Sequence, residues 1–424
     1  MSDKNTLLIG VVADDFTGAS DAASFLVEGG LSTILLNGIP TSTINLDKVS
    51  AVVIALKTRT METSKAVDLS LKAFKWLKQK NAQHIYNKYC STFDSTKTGN
   101  IGPIIDAVVE RYQYPYTILA PALPVNGRLV KDGHLYVNGI PLNQSNMKDH
   151  PLTPMWDSKI ANLMKGQGKY NSLELDKETL YSKNTNIKSI IKEYKKKNKH
   201  FYVIPDYADR HDGERITELF KNLPFLTGGS GLLEGLARAY SMDYNIAKDA
   251  IKSSVKGKGI ILAGSVSQAT RSQIKAFIES GKPSLKISPI DLLEDPSLSF
   301  VWRFISKNQA EDIMLYSADE PSKIKEYQKI GKNKVAELIE QAFADIAKKC
   351  KNLGYTRIIV AGGETSGAVT QALNFNHFII GESISPGVPI MMPLENSKIR
   401  LVLKSGNFGE SDFFIRALDM TGGK

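Results

Sequence analysis

The stretch Leu7-Leu8-Ile9-Gly10-Val11-Val12-Ala13-Asp14-Asp15-Phe16-Thr17-Gly18-Ala19 decides the fold class. Leu7 to Ala13 carries no charge and reads as a strand buried on both faces. Two carboxylates interrupt it, and a helix follows from about Thr17 through Val27 with Ala22, Ala23, Leu26 and Val27 facing a sheet. A buried strand that delivers its chain directly into a helix opens an α/β domain, whose strands run parallel because helices make the crossovers.

Similar units continue outward. Ala51 to Leu56, His84 to Asn87 and Tyr116 to Ala120 read as strands, with an amphipathic helix around Ser64 to Lys78. From Pro121 to Pro154 the rhythm breaks, and Pro124, Gly127, Gly133, Gly139, Pro141, Pro151 and Pro154 predict turns and a short hairpin in a segment suited to binding. Alternation resumes at Phe201 to Ile204 and at Phe225 to Thr227, which runs into Gly228-Gly229-Ser230-Gly231. The polar, Lys-rich stretch Ser241 to Lys258 is the predicted linker. Strands at Ile260 to Ala263, Ser284 to Ile287, Ile313 to Tyr316, Ile358 to Ala361 and Ile399 to Leu403 then form a second α/β section. The prediction is two α/β domains with largely parallel sheets, residues 1–245 and 246–424.

Composition agrees, because 424 residues at 42% hydrophobic exceed one ordinary domain. The net charge of +10 is mostly Lys spread along the chain, which suits anionic small substrates, and the basic run Lys192 to His200 reads as a solvated helix face. Cys90 and Cys350 lack metal-ligand spacing, so neither a zinc site nor a disulfide framework is expected and a reducing cytoplasm fits. Leu7 to Ala13 is far short of the roughly 20 apolar residues of a membrane span, so neither secretion nor membrane insertion is expected.

Open α/β sheets bind ligands at the carboxyl ends of their strands. Asp14 and Asp15 stand there, able to accept a hydroxyl proton or bind sugar hydroxyls, although helix capping by Asp15 or Thr17 is an equal alternative. Lys57-Thr58-Arg59 ends the next strand, and Lys88-Tyr89-Cys90-Ser91-Thr92-Phe93-Asp94 ends the one after. The Arg59 fork suits a substrate carboxylate, with Lys88 as a point charge. Ser91, Asp94, Asn126 and Arg128 complete the candidate substrate-binding set. His150, between Asp149 and Pro151, reads as structural.

Three apolar runs of the second section each end in a glycine-rich turn: Gly264-Ser265-Val266-Ser267, Gly362-Gly363-Glu364-Thr365-Ser366 and Ser405-Gly406-Asn407. Glycine lets backbone N–H groups approach an anion, hydroxyls add donors, and a helix predicted over Gly367 to Leu373 adds its N-terminus. Three such turns predict a nucleotide. There is no P-loop sequence and no protein-kinase catalytic set. Gly229-Ser230-Gly231 with Gly235 imitates a dinucleotide fingerprint, but the last spacing is one residue too long and Asp249 ends no predicted strand. An NAD-linked oxidoreductase and a non-catalytic sugar-acid binding protein are the competing readings.

Ala13 to Ala19, Lys88 to Thr96, Gly362 to Ser366 and Lys404-Ser405-Gly406-Asn407-Phe408-Gly409 together resemble the four-carbon acid sugar kinase family over nearly the whole chain. Tyr89 to Thr96 and His150-Pro151-Leu152-Thr153-Pro154-Met155 look most like its 3-oxo-tetronate kinases. The resemblance implies that residues 1–245 bind the sugar acid, that residues 246–424 bind ATP, and that the terminal phosphoryl group passes to the terminal hydroxyl in an active-site cleft between the domains. Asp15, or else Asp14, would orient or deprotonate that hydroxyl while Arg59 and Lys88 hold the carboxylate. Ser265, Gly362, Gly363, Glu364, Thr365 and Gly406 would contact ATP, with Val266 where relatives commonly have Cys. Mg2+ is expected on the phosphates, with no protein ligand identified. The expected partners are the sugar acid and ATP, without nucleic acid or membrane, in a cytoplasmic protein with room for homo-oligomers.

Overall fold

The computed structural model describes residues 7–41, 43–149, 153–244, 253–318 and 331–423. His150 and residues 245–252 of the predicted linker lie outside the described residues. The chain divides into two compact units, Met1–Asp249 and Ala250–Lys424.

The first unit begins with β1 (Ile9–Ala13), α1 (Phe16–Glu28), β2 (Thr33–Asn37), β3 (Ala51–Ala55), α2 (Thr63–Gln79), β4 (His84–Lys88), α3 (Ile101–Tyr112) and β5 (Tyr116–Ala120). A small hairpin sheet follows, β6 (Arg128–Lys131), β7 (His134–Val137) and β8 (Ile140–Pro141), and then β9 (Asn171–Leu175), β10 (Phe201–Pro205) and β11 (Phe225–Gly228). The main sheet has the order β2-β3-β1-β4-β11-β5-β10-β9, and every pairing in it is parallel. After β1 the chain goes out to β2, returns to β3 beside β1, and then crosses to β4 on the other side of β1. The reversal puts the topological switch point, where such sheets bind ligands, at the ends of β1 and β4. These are the strand ends that carry Asp14, Asp15 and Lys88.

The hairpin turns explain the broken rhythm after Pro121. Asp132-Gly133 and Asn138-Gly139 hold positive φ at both residues, the two-residue turn geometry that matches strand twist. Asp206 clamps the first turn by accepting from the Asp132 and Gly133 amides at 2.9 and 3.0 Å.

The second unit contains β12 (Lys258–Ala263), β13 (Ser284–Lys286), β14 (Ile313–Tyr316), β15 (Tyr355–Ala361), β16 (His377–Ser385), β17 (Val388–Pro393) and β18 (Arg400–Lys404). Its order is β13-β14-β12-β15-β18-β17-β16. The first five strands are parallel, and β17 runs antiparallel to both neighbours. Ile261, Phe277, Met314, Ile359, Val402 and Phe414 form the heart of its core. The helix expected from Gly367 starts earlier, at Gly363, so Glu364, Thr365 and Ser366 belong to its first turn rather than to a preceding loop.

Gly10 in β1 lies so close to α2 that an added Cβ would stand 2.7 Å from a methyl of the buried Leu77. Gly10→Ala is therefore expected to destabilise the first unit by about 1–3 kcal/mol through overpacking. In urea unfolding, adding Leu77→Ala should cost less in that background than in wild type, because the two changes relieve one clash.

Candidate functional site

In the first unit the site grows from the break after β1. Asp15 has the extended backbone of an N-cap, φ −148° and ψ 165°, and its Oδ1 accepts from the Gly18 amide at 2.5 Å. The capping role and a ligand role are compatible, because the other oxygen stays outside the cap. That oxygen meets Arg59 Nη2 at 2.7 Å. Arg59 also grips Asp14 in a fork, Nε to Oδ2 at 2.8 Å and Nη2 to Oδ1 at 3.0 Å, and its Nη1 stands 3.9 Å from Asp94. The sequence reading aimed this guanidinium at a substrate carboxylate. In the fold it is turned onto carboxylates of its own chain, because Thr58 and Arg59 donate their amides to the Asp14 carbonyl and so draw the loop over β1. Asn100, the N-cap residue of α3, holds the same loop, donating to the Thr58 and Met61 carbonyls at 2.6 and 2.8 Å.

Lys88 ends β4 almost sealed from solvent, 4% exposed. Burial works against its charge, yet the carboxylates of Asp21, Asp15 and Asp14 outweigh burial and hold its pKa above the ordinary lysine value. Burial likewise works to raise Asp15, but Arg59 and Lys88 carry its carboxyl below the usual range. A cavity of about 10 Å³, roughly one water's worth, lies among Asp14, Arg59, Lys88, Asp94 and Asn100. Thr92 donates to Asp94 at 2.6 Å. Burial is the main reason that the thiol of Cys90 in this turn is pushed up to about 12, which leaves it unreactive near neutrality.

Asp21, which the sequence reading passed over, faces this group from α1. It is 6% exposed, lies 3.9 Å from Lys88 Nζ, and accepts from the Ser230 hydroxyl through Oδ2, while its Oδ1 is buried without a hydrogen-bond partner. Its signal was an acid at the centre of a helix whose residues Gly18 to Leu26 are all buried. Arg128 donates to the Asn126 carbonyl, keeps a buried, unpartnered Nε, and lies near enough for its charge to favour Asp21 ionisation. Ser91 sits beside Gly229. The Gly228 to Gly231 turn is not shaped by a dinucleotide. Added Cβ atoms at Gly228, Gly229 and Gly231 would lie 2.3, 2.4 and 2.4 Å from the carbonyl oxygens of Ala120, Pro121 and Ala122, so these glycines let two backbones touch.

In the second unit the three glycine turns converge. A Cβ on Gly406 would lie 2.3 Å from Ser265 Oγ, one on Gly264 2.1 Å from Thr365 Oγ1, and one on Gly362 3.3 Å from the Ser265 amide. Backbone bonds stitch them together: Gly264 and Ser265 donate to the Ala361 carbonyl at 2.9 and 3.1 Å, and Gly362 donates to the Lys404 carbonyl at 2.9 Å. Gly362 needs its left-handed φ of 125° to start the helix here, and Gly363 opens to free space with nothing within 4 Å of an added Cβ. Glu364 is exposed and Thr365 buried. A helix N-terminus beside two backbone turns can receive an anion of several charges. Among the described residues no three His, Cys, Asp or Glu side chains gather to hold a metal ion.

Comparison with known proteins finds one family model within each unit. The sugar-binding N-terminal domain family matches residues 9–236, and the nucleotide-binding C-terminal domain family matches residues 260–414. The 3-oxo-tetronate kinase of Brucella melitensis is 40% identical, covering 96% of this chain and 94% of that one. The 3-oxo-tetronate kinase of Haemophilus influenzae is 38% identical, covering 97% and 100%. A crystal structure from Salmonella typhimurium LT2, provisionally named a tRNA synthase, matches with a TM-score of 0.90 at 37% identity over 97% of this chain and 99% of that one. The chain belongs to the 3-oxo-tetronate kinase family.

Burial raises the Asp21 carboxyl from 3.8 to about 6 against the pull of Lys88 and Ser230. A raised acid adds stability that is complete below its unfolded value and is lost as pH rises through its folded value. Relative to Asp21→Asn, wild type should therefore lose about 2 kcal/mol of unfolding free energy between pH 4 and pH 7. Denaturant titrations of both proteins at the two pH values measure it, and a constant difference would contradict the environment described for Asp21.

Proposed function

We propose that this member of the 3-oxo-tetronate kinase family transfers the terminal phosphoryl group of ATP to the terminal hydroxyl of a four-carbon sugar acid, a 3-oxo-tetronate, giving the 4-phosphate. The observation that carries this reading is the convergence of Ser265, the Gly362 to Thr365 turn and Gly406 on one anion-receiving corner. The names of the two matched domains support a sugar acid in the first unit and a nucleotide in the second, with boundaries at residues 1–245 and 246–424.

Phosphoryl transfer asks little covalent chemistry of a protein and much positioning. Arg59 fixes Asp14 and Asp15, and Asp15, its side chain 33% exposed, accepts the hydrogen bond of the substrate hydroxyl. As the hydroxyl oxygen bonds to the terminal phosphorus, the bridging bond to ADP breaks and the hydroxyl proton passes to Asp15. A carboxylate held below its usual range is a weak base, which a loose transition state tolerates. With Arg59 engaged, Lys88 and Arg128 are the cations left for the substrate carboxylate, and Ser91, Asp94 and Asn126 border them. A resident metal centre does not fit the described side chains. Magnesium carried by the triphosphate would neutralise its phosphate charge.

No helix among the described residues is long and apolar enough to cross a membrane, and the reading places the protein in the cytoplasm with small molecules as its partners, possible assembly of identical chains aside. The NAD-linked alternative loses its support, since Gly229 and Gly231 pack against the 121–122 backbone and Gly235 against the Thr217 side chain.

Asp15→Asn is expected to lower kcat by about 10²–10⁴-fold in a coupled ADP-release assay with 3-oxo-tetronates, leaving ATP affinity unchanged. Near wild-type turnover would remove Asp15 from the reaction. Gly363→Val, which adds its side chain into open space, should keep the fold and weaken ATP binding by about tenfold or more. Unchanged affinity would refute the nucleotide corner.

A further inference from the structure

Lys404 ends β18 beneath the nucleotide corner and is fully buried, 0% exposed. Its Nζ donates to Thr270 Oγ1 at 3.1 Å, to the Ser405 carbonyl at 3.0 Å and to the Gly406 carbonyl at 3.1 Å. Ser267 and Thr270 donate to the same Gly406 carbonyl at 2.6 and 3.0 Å. The carbonyls of the 405–406 turn are thus drawn inward by three side chains.

Three acceptors match the three hydrogens of an ammonium, whereas a neutral amine would point its lone pair at one of them. The geometry suits the charged form, but among the described residues no acid forms an ion pair with Lys404. The charged groups on the packed elements are engaged elsewhere. Arg271 of the Gln268–Glu279 helix bonds the Val266 carbonyl and Gln268, Arg357 of β15 pairs with Asp312, and Arg400 of β18 bonds the Ser253 and Ser397 carbonyls. Arg416 of the Phe413–Gly422 helix bonds the Ile384 carbonyl and lies 3.8 Å from Asp412, and Glu364 is exposed at the start of its helix. None of them forms an ion pair with Lys404. Desolvation accordingly lowers the amine from 10.5 to about 7.

Resting on the assignment of the nucleotide to this unit, we propose that Lys404 is the positioning residue of the phosphate site, binding a proton as the nucleotide's phosphates arrive and thereby supplying their counter-charge from beneath the Ser405-Gly406 turn. A polyanion beside a buried lysine favours its protonated form. Above pH 7 binding must then draw a proton from solvent, and affinity must fall as pH rises until the bound-state value is passed. A lysine that only braced the turn would couple to no proton.

Calorimetry of the full chain with the magnesium complex of ADP, in buffers of different ionisation enthalpy, tests this. Wild type should take up close to one proton per site at pH 8, with affinity falling about tenfold per pH unit above pH 7. Adenosine, which has no phosphate, should bind without that slope. Lys404→Met, which cannot charge, and Lys404→Arg, which cannot discharge, should both abolish the proton uptake. Uptake near zero in wild type, or equal uptake in either folded variant, overturns the inference. If neither variant folds, the wild-type proton count alone decides. Absence of any nucleotide binding defeats the nucleotide assignment and this inference with it, whereas binding without proton uptake defeats the inference only.

Discussion

Two adjacent carboxylates at one strand end repel each other, and the Arg59 guanidinium bridges both. Its fork on Asp14 and its further contact with Asp15 join the loop after β3 to the loop after β1, and Asn100 stops the first of these loops from drifting. Asp15 is thereby left with its backbone locked as a helix cap and its side chain still partly open. Lys88 then stands between two acids with opposite fates. Asp15 is pulled below the ordinary carboxylate range, while Asp21, deeper and poorly bonded, is pushed above it. Environments that push two carboxyls apart are a common mark of sites that handle protons.

The second unit has the complementary imbalance. The first gathers more acids than the reaction needs and neutralises them with Arg59 and Lys88. The proposed nucleotide corner gathers amides, hydroxyls and one sealed lysine, and its one acid, Glu364, is exposed at the start of its helix. A site built this way is incomplete until an anion of several charges enters. Backbone donors are well suited to the task, since they are held by the sheet and need no reorganisation when phosphate arrives.

Much of this was legible in the sequence because each relevant strand is a short apolar run with chemistry at its end. The order Leu7 to Ala13 and then two aspartates locates the switch point, and the glycine turns after the strands at Ile260, Ile358 and Ile399 locate the proposed nucleotide corner. Elements without that contrast were missed. β2 lies between glycines, β9 is an edge strand with two of its five residues exposed, and β16 and β17 form a hairpin in an otherwise parallel unit. Partnerships across long sequence distances were also hidden. Nothing local reveals that Arg59 forks onto Asp14, that Asp21 meets Ser230, or that the glycines of 228–231 serve backbone contact. The early helix start at Gly363 depends on the left-handed φ of Gly362, which sequence allows but does not require.

The central claim is that Asp15 receives the acceptor hydroxyl while Ser265, Gly363 and Gly406 receive the triphosphate. Its most direct test is a crystal structure of the protein with a 3-oxo-tetronate and a non-hydrolysable ATP analogue bound together. The account predicts the sugar-acid hydroxyl within hydrogen-bond distance of Asp15 and the analogue's phosphates on the amides and hydroxyls of those turns. An analogue seated away from Gly363 and Gly406, or a hydroxyl turned away from Asp15, would contradict it.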